Sequence, residues 1–200
     1  MPYEQMVGKM SSKDYLKCAL FSLMEKKSIH KITVKELCDC AMINRSTFYS
    51  NYDSLDSFFN SVMVELASGL VAAIETEGAP ENMLHNKSIA YRRYLKWYTH
   101  VHKNANAFRL FLGVNGTTVF RDLLLKQGLD WYMNFLSSIM PRYSDRVSID
   151  ILVHYIINAH MGLLEFYLGN GKKYSPEYMA EQMVNITMAG PYSLLKLFDE

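Results

Sequence analysis

The chain has 200 residues, half of them hydrophobic and a fifth charged, with a net charge of +1 at neutral pH. Such a composition excludes a disordered chain and a polycation. With 10 Gly and 5 Pro, turn formers are too scarce for a β-rich fold.

The first stretch, "MPYEQMVGKMSSKD", lacks the apolar centre of a signal peptide, and no uninterrupted apolar run reaches ~18 residues. A cytoplasmic protein with no membrane partner is therefore expected. Its three cysteines form no disulfide framework and should be reduced, buried thiols. Cys38 and Cys40 diverge at i,i+2 on a helix, and no further ligands stand near them, so no metal site is expected.

Ser11 and Asp14 form a capping-box pattern ahead of a helix over about 12–27, with Leu16, Ala19, Leu20 and Leu23 on its apolar face. Thr33 and Glu36 repeat the pattern before a short helix that buries Val34, Leu37, Cys38 and Ala41. A tight turn at Met42–Ile43 follows, and Asn44 caps a third, short helix. Asp53, with Asp56, opens a long fourth helix that buries Leu55, Phe58, Phe59, Val62, Leu66 and Leu70. "EGAPEN" at 77–82 is the strongest break. Beyond it the pattern predicts helices over about 84–102, 104–112, 117–140, 145–168 and 176–197, the last opened by Ser175 and Pro176. "GVNG", "MPRYS" and "GNGKKYSP" separate them, and nothing reads as a βαβ unit. The fold class is all-α.

Two short helices around a tight turn make a helix-turn-helix, whose second helix enters the major groove of DNA. Residues 44–51 fit that task. Asn44, Ser46, Thr47, Tyr49 and Asn51 supply short polar groups for a phosphate backbone, and Arg45 has the guanidinium that matches the O6/N7 edge of guanine. Phe48 and Tyr52, at i,i+4, form the opposite stripe and hold the helix to the protein. Lys35 can neutralise a further phosphate, as can Lys9, Lys13, Lys26, Lys27 and Lys31 less specifically. The charge distribution agrees: Met1–Arg45 holds eight Lys/Arg against five Asp/Glu, and Ser46–Asn86 holds no Lys or Arg.

The run "ITVKELCDCAMINRSTFYSNYDSLDSFF" resembles the DNA-binding domain of the TetR-type transcriptional regulators. Thr33-Val34, Leu37, Ala41, Ile43, Thr47-Phe48-Tyr49 and Tyr52 occupy the positions of that family's motif, and Ala19-Leu20-Phe21 looks like its opening helix. Two departures stand out. The family usually has a Lys near the start of the fourth helix, where this chain has Ser54 and Leu55 flanked by Asp53 and Asp56. Met42 stands in the turn where a smaller residue, often Gly, is common.

The resemblance implies a helix-turn-helix DNA-binding domain over 1–55 and a helical regulatory, ligand-binding and dimerisation domain over 56–200. It implies a ligand-responsive regulator, a repressor in the commonest form, that binds palindromic double-stranded operator DNA as a homodimer. "IDILVHYIINAHMGLLEFYL" and "EYMAEQMVNITMAGPYSLLKLF" are apolar on more than one face, as an intersubunit bundle requires. A small apolar or aromatic effector is expected against Trp97, Tyr98, Phe111, Trp131 and Phe135, with Tyr94 and Phe108 nearby in sequence. The 13 Met residues suggest adaptable walls. His154 and Asn158, at i,i+4, are candidate polar contacts for that effector; core packing and interface roles compete for all of these residues. "YRRYLK" at 91–96 reads as a solvated helix face. No cofactor is expected.

An enzyme is not expected, since there is no H-E-x-x-H, G-x-S-x-G or phosphate-cradling Gly loop, and His100 and His102 diverge at i,i+2. The remaining alternative is a TetR-like coactivator that no longer binds DNA and acts through a protein partner or small ligand.

Overall fold

The computed structural model of the chain describes residues 11–75, 86–139, 148–171 and 173–190. Among them are nine α-helices and no strand, as the all-α reading expects. They are α1 (Ser12–Met24), α2 (Val34–Ala41), α3 (Arg45–Tyr49), α4 (Leu55–Glu75), α5 (Lys87–Lys103), α6 (Ala105–Leu112), α7 (Thr118–Ile139), α8 (Ile149–Gly169) and α9 (Pro176–Ala189). A single 3-10 turn, Ile29–Lys31, precedes α2. The chain divides into two compact units: residues up to Glu65 with Arg109–Phe120, and Leu66–Phe108 with the residues from Arg121 onward. The breaks expected at 77–82 and 140–144 lie outside the described residues, as does the end of the last predicted helix beyond 190.

In the first unit, both early capping boxes form. Ser11 N donates to Asp14 Oδ2 at 3.0 Å while Asp14 N donates to Ser11 Oγ at 3.3 Å. Thr33 N donates to Glu36 Oε2 at 3.0 Å, and Glu36 N returns to Thr33 Oγ1 at 3.3 Å. Lys27 Nζ lies 2.6 Å from Glu36 Oε1, and this ammonium together with the Thr33 bonds holds the Glu36 carboxyl down at about 2.

The first helix is shorter than its pattern. Lys26 and Lys27 both turn their amides onto the Leu23 carbonyl, which closes α1 at Met24. Met24 is fully buried in consequence, and Leu23 is only half-buried. The fourth helix is capped by a different pair from the one expected. Ser54 and Ser57 exchange backbone-to-hydroxyl bonds of 3.2 and 3.1 Å, while Asp53 and Asp56 stay exposed. Serine hydroxyls do what the carboxylates were expected to do.

"GVNG" is more than a break. Asn115 accepts the Ile29 amide at 2.8 Å on its backbone oxygen and donates Nδ2 to the Met24 carbonyl at 3.0 Å. It therefore fastens the turn after α6 to the end of α1 and the 3-10 turn. A Cβ on Gly116 would overlap the Phe111 carbonyl, so this turn closes only around glycine.

Met42 ends α2 at φ 53°, ψ 39°, the left-handed region, and is 90% exposed. A side chain there costs about 1–2 kcal/mol, and at 90% exposure this one buries little surface to offset it. Met42→Gly is expected to raise the urea midpoint by a stability gain of about 0.5–1 kcal/mol, after the entropy glycine adds to the unfolded chain. An unchanged or lower midpoint would contradict this.

In the second unit, α5 packs along α9. Tyr132, Phe135, Leu136, Leu152, Val153 and Ile156 form a buried cluster between α7 and α8. Gly128 of α7 lets Ile157 of α8 approach closely, and Gly69 of α4 does the same for the His100 ring. Tyr98 is fully buried and its hydroxyl has no hydrogen-bond partner among the described residues; burial raises its pKa. Tyr98→Phe removes that unpaired group without removing the ring, so a gain of about 1–2 kcal/mol is expected in chemical denaturation. A loss of stability would show that the hydroxyl is satisfied in solution.

By length and composition, α4 and α8 are each apolar enough to cross a membrane, with mean hydropathies of 1.5 and 1.3 over their best windows. Polar residues such as Asn60, Glu65, His154 and Asn158 interrupt both. Each also buries residues in the interior, among them Phe58 and Val62 of α4 and Ile156 and Leu164 of α8, as core helices do. The cysteines depart from expectation in part: Cys38 is buried, but Cys18 and Cys40 are exposed.

Candidate nucleic-acid interface and effector cavity

The α2–turn–α3 segment separates two kinds of side chain. Phe48 is fully buried and meets Tyr52 at 5.6 Å and Phe58 at 6.1 Å between ring centroids; Tyr52 in turn meets Phe58 at 4.9 Å. This aromatic cluster anchors a helix of only five residues, too short to stand alone. With that face fixed, Asn44, Arg45, Ser46, Tyr49 and Asn51 are all exposed, and Thr47 is half-buried. Lys35, near the start of α2, is exposed as well.

These groups differ in what they can offer. Asn44 caps α3, its Oδ1 accepting the Ser46 amide at 3.1 Å. Asn51 Nδ2 donates to the Thr47 carbonyl at 2.8 Å and to Ser50 Oγ at 3.2 Å, which commits both amide hydrogens and leaves Oδ1 as an acceptor. Arg45 and Tyr49 project into solvent, with Tyr49 56% exposed and edge-on to Phe48. Of the lysines expected to serve phosphates, Lys13 pairs with Glu65 at 2.7 Å and Lys27 with Glu36, while Lys26 and Lys31 are exposed. Lys9 lies outside the described residues.

The second unit contains a cavity of about 720 Å³, counting its opening to solvent. Leu70, Val71 and Ile74 of α4, Trp97 of α5, Leu124 and Trp131 of α7, and Met161 and Leu164 of α8 give it apolar walls. Its polar lining is Arg93, Tyr94, Gln127, Tyr132 and His160. His160 Nδ1 lies 2.7 Å from the Ile156 carbonyl, which can only accept, so Nδ1 carries the proton. Nε2 is then the acceptor for the Tyr132 hydroxyl at 3.1 Å or the Tyr94 hydroxyl at 3.3 Å. Tyr94 also meets Thr187 Oγ1 of α9 at 2.9 Å. Burial lowers the His160 pKa and pushes the Tyr94 phenol up to about 12, so this network is neutral at physiological pH.

The family model for the C-terminal region of TetR transcriptional regulators matches residues 88–189, just over half of the chain. The protein is a TetR-family transcriptional regulator. Solved structures of similar fold include the fatty acid degradation regulator FadR from Bacillus halodurans, at 15% identity, TM-score 0.62, and coverage of 91% of this chain and 97% of that one. FadR from Bacillus subtilis, solved with stearoyl-CoA, aligns at 13% identity and TM-score 0.62 over 88% and 97% of the two chains. The dihydroxyacetone kinase operon activator DhaS aligns at 16% identity and TM-score 0.56 over 96% and 100%. No curated protein sequence gives a significant match.

Within this TetR-family regulator, the effector residues expected from sequence scatter. Trp97 and Trp131 line the cavity. Tyr98 sits behind Trp97, their rings edge to face at 4.8 Å, and Phe135 belongs to the α7–α8 core cluster. Phe111 is buried in the first unit, 6.2 Å from Phe21 and 5.2 Å from Phe120. His154 and Asn158 do share a face, but it is the exposed face of α8, where each bonds a backbone carbonyl one turn back. Of the methionines, only Met161 is among the cavity-lining residues described.

Arg93, Gln127, Tyr132 and His160 are the polar lining groups that the pattern did not single out. "YRRYLK" is not a uniformly solvated face: Arg92 is exposed, but Arg93 is 1% exposed. The signal was present in the helical period, since Arg93 lies three residues from the buried Ala90, four from the half-buried Trp97, and one from the buried Tyr94.

Proposed function

We propose that this TetR-family regulator is a ligand-responsive repressor that binds palindromic operator DNA as a homodimer in the cytoplasm. The observation that carries the reading is the exposed polar face of α3 above the buried Phe48. Arg45 reads a guanine edge, Thr47 and Tyr49 engage phosphates, and Ser46 and Lys35 add further backbone contacts, with Asn44 and Asn51 shaping the helix ends. The domain division that goes with this reading is a DNA-binding part over 1–55 and a regulatory part over 56–200.

Dimerisation through α8 and α9 is supported by their outer faces. Ile151, Tyr155 and Phe166 of α8 and Tyr178 and Ile186 of α9 are 47–71% exposed, an unusual apolar load for solvent. His154 and Asn158 share that α8 face and are proposed as interface polar groups. Two-fold symmetry would present two α3 helices to half-sites roughly 34–36 Å apart or a multiple of it. A small, largely apolar or aromatic effector occupies the cavity beside Trp97 and Trp131 and favours a geometry that no longer fits the operator, within the limit set by its differential affinity.

A second reading, an activator that works through a protein partner, is favoured by the exposed Asp53 and Asp56, which place negative charge just after α3 where a phosphate-binding lysine would serve DNA. Selection of bound duplexes from a random pool separates the two. Enrichment of an inverted repeat supports operator binding. A pool that stays random at low salt removes it and leaves the partner-binding reading.

A further inference from the structure

We infer that the effector is an aromatic hydrogen-bond donor: a flat apolar body bearing one uncharged O–H or N–H, which Gln127 Oε1 accepts. This rests on the cavity being the effector site. Gln127, on α7, lines the cavity, and its Oε1 is buried without a hydrogen-bond partner among the described residues. An acceptor taken out of water and given no donor is destabilising, and a ligand that brings the donor removes that cost on binding. An ether in the donor's place would set one oxygen against another.

The other polar lining groups make no such demand. His160 Nδ1 is committed to the Ile156 carbonyl, Nε2 accepts a tyrosine hydroxyl, and Tyr94 also meets Thr187. Arg93 is engaged within the chain and sets no charge on the ligand. No Asp or Glu stands among the described lining residues, so nothing there would balance an ammonium, and the donor is an uncharged one. The indoles of Trp97 and Trp131, with Leu70, Ile74 and Leu164, then receive the body. A ring gains offset or edge contacts with those indoles that a saturated body does not. A phenol combines these properties.

The chain carries its own reporter. Its 2 Trp residues, Trp97 and Trp131, both line the cavity, so tryptophan fluorescence reports on that cavity. The full-length protein is titrated with 4-butylphenol, with its methyl ether 4-butylanisole, and with 4-butylcyclohexanol, under excitation selective for tryptophan. The phenol is expected to bind about tenfold tighter than the ether, the difference that an unpaired buried acceptor makes. It should also bind tighter than the cyclohexanol, which has the donor but no aromatic ring. Gln127→Leu removes the acceptor and keeps most of the volume, so the preference for phenol over ether should vanish there. A preference set by the bulk of the ether's methyl group would survive it. Gln127 is only part-buried, so the variant is expected to fold; Gln127→Met, unbranched and of similar length, gives the same reading if it does not. Equal binding of phenol and ether by the wild-type protein, or a preference that survives in both variants, would overturn the donor while leaving the cavity as an effector site. Tighter binding of the ether, lost in Gln127→Leu, would show the amide turned with its nitrogen inward and would overturn the donor as well. Binding of the cyclohexanol as tight as that of the phenol would overturn the aromatic body. No fluorescence response to any of the three compounds would overturn both the donor and the cavity.

Discussion

Phe48→Ala is expected to cost about 3–5 kcal/mol, the range for removing a fully buried aromatic side chain. Phe48 lies at the meeting point of α3 and α4, against Tyr52 and Phe58, with Tyr49 edge-on beside it. α3 has five residues and so almost no stability of its own. Its position depends on this one side chain, and an alanine there leaves a void that a five-residue helix cannot fill by a small shift. Both tryptophans lie in the other unit, so during urea unfolding tryptophan fluorescence reports that unit, while far-ultraviolet circular dichroism sums the helices of both. The dichroism transition should move to lower urea, and Phe48→Leu, which keeps most of the volume, should cost less than about 1.5 kcal/mol. A loss below about 1 kcal/mol in Phe48→Ala would mean that α3 is held by something else.

Arg45→Ala is expected to relax base preference at one operator position by about 1–3 kcal/mol, with other positions unchanged. Arg45 is the first residue of α3 and is exposed, so the substitution removes no packing and the fold should be unaffected. Arg45→Lys should not restore the preference, because a lysine lacks the two-pronged donor edge. Tyr49→Phe offers the contrast: loss of one phosphate contact weakens binding evenly across sequences. Preference profiles from selections with each variant distinguish the two effects. A uniform loss in Arg45→Ala would make Arg45 a phosphate contact instead of a reader.

Local chemistry was the most legible part of the sequence. Ser11–Asp14 and Thr33–Glu36 form their capping boxes because a cap needs only residues three apart. The same logic failed at α4, where Asp53–Asp56 and Ser54–Ser57 offer equally good spacing and the backbone chose the serines. The α3 face was legible because polar side chains and Phe48 alternate with the helical period.

The cavity was not legible in the same way. Its walls come from α4, α5, α7 and α8, and no period within one helix shows which aromatic faces a gap and which a neighbour. Trp97 and Tyr98 are adjacent, yet one lines the cavity and the other is sealed behind it. His154 and His160 stand on one apolar helix six residues apart, which puts them on different faces: His154 is exposed, and His160 meets the two tyrosines. Asn115 was invisible for a related reason, since its partners Met24 and Ile29 are more than eighty residues away in sequence.

Whether the α3 face touches duplex is answered most directly by amide hydrogen exchange of the full-length protein, free and bound to a duplex recovered by selection. Slower exchange in the bound state is expected over residues 44–51 and at the start of α2 around Lys35, with the cavity helices little changed. Exchange over 44–51 that is the same with and without duplex, while another surface slows, would place the nucleic acid elsewhere and remove Arg45, Thr47 and Tyr49 from the interface.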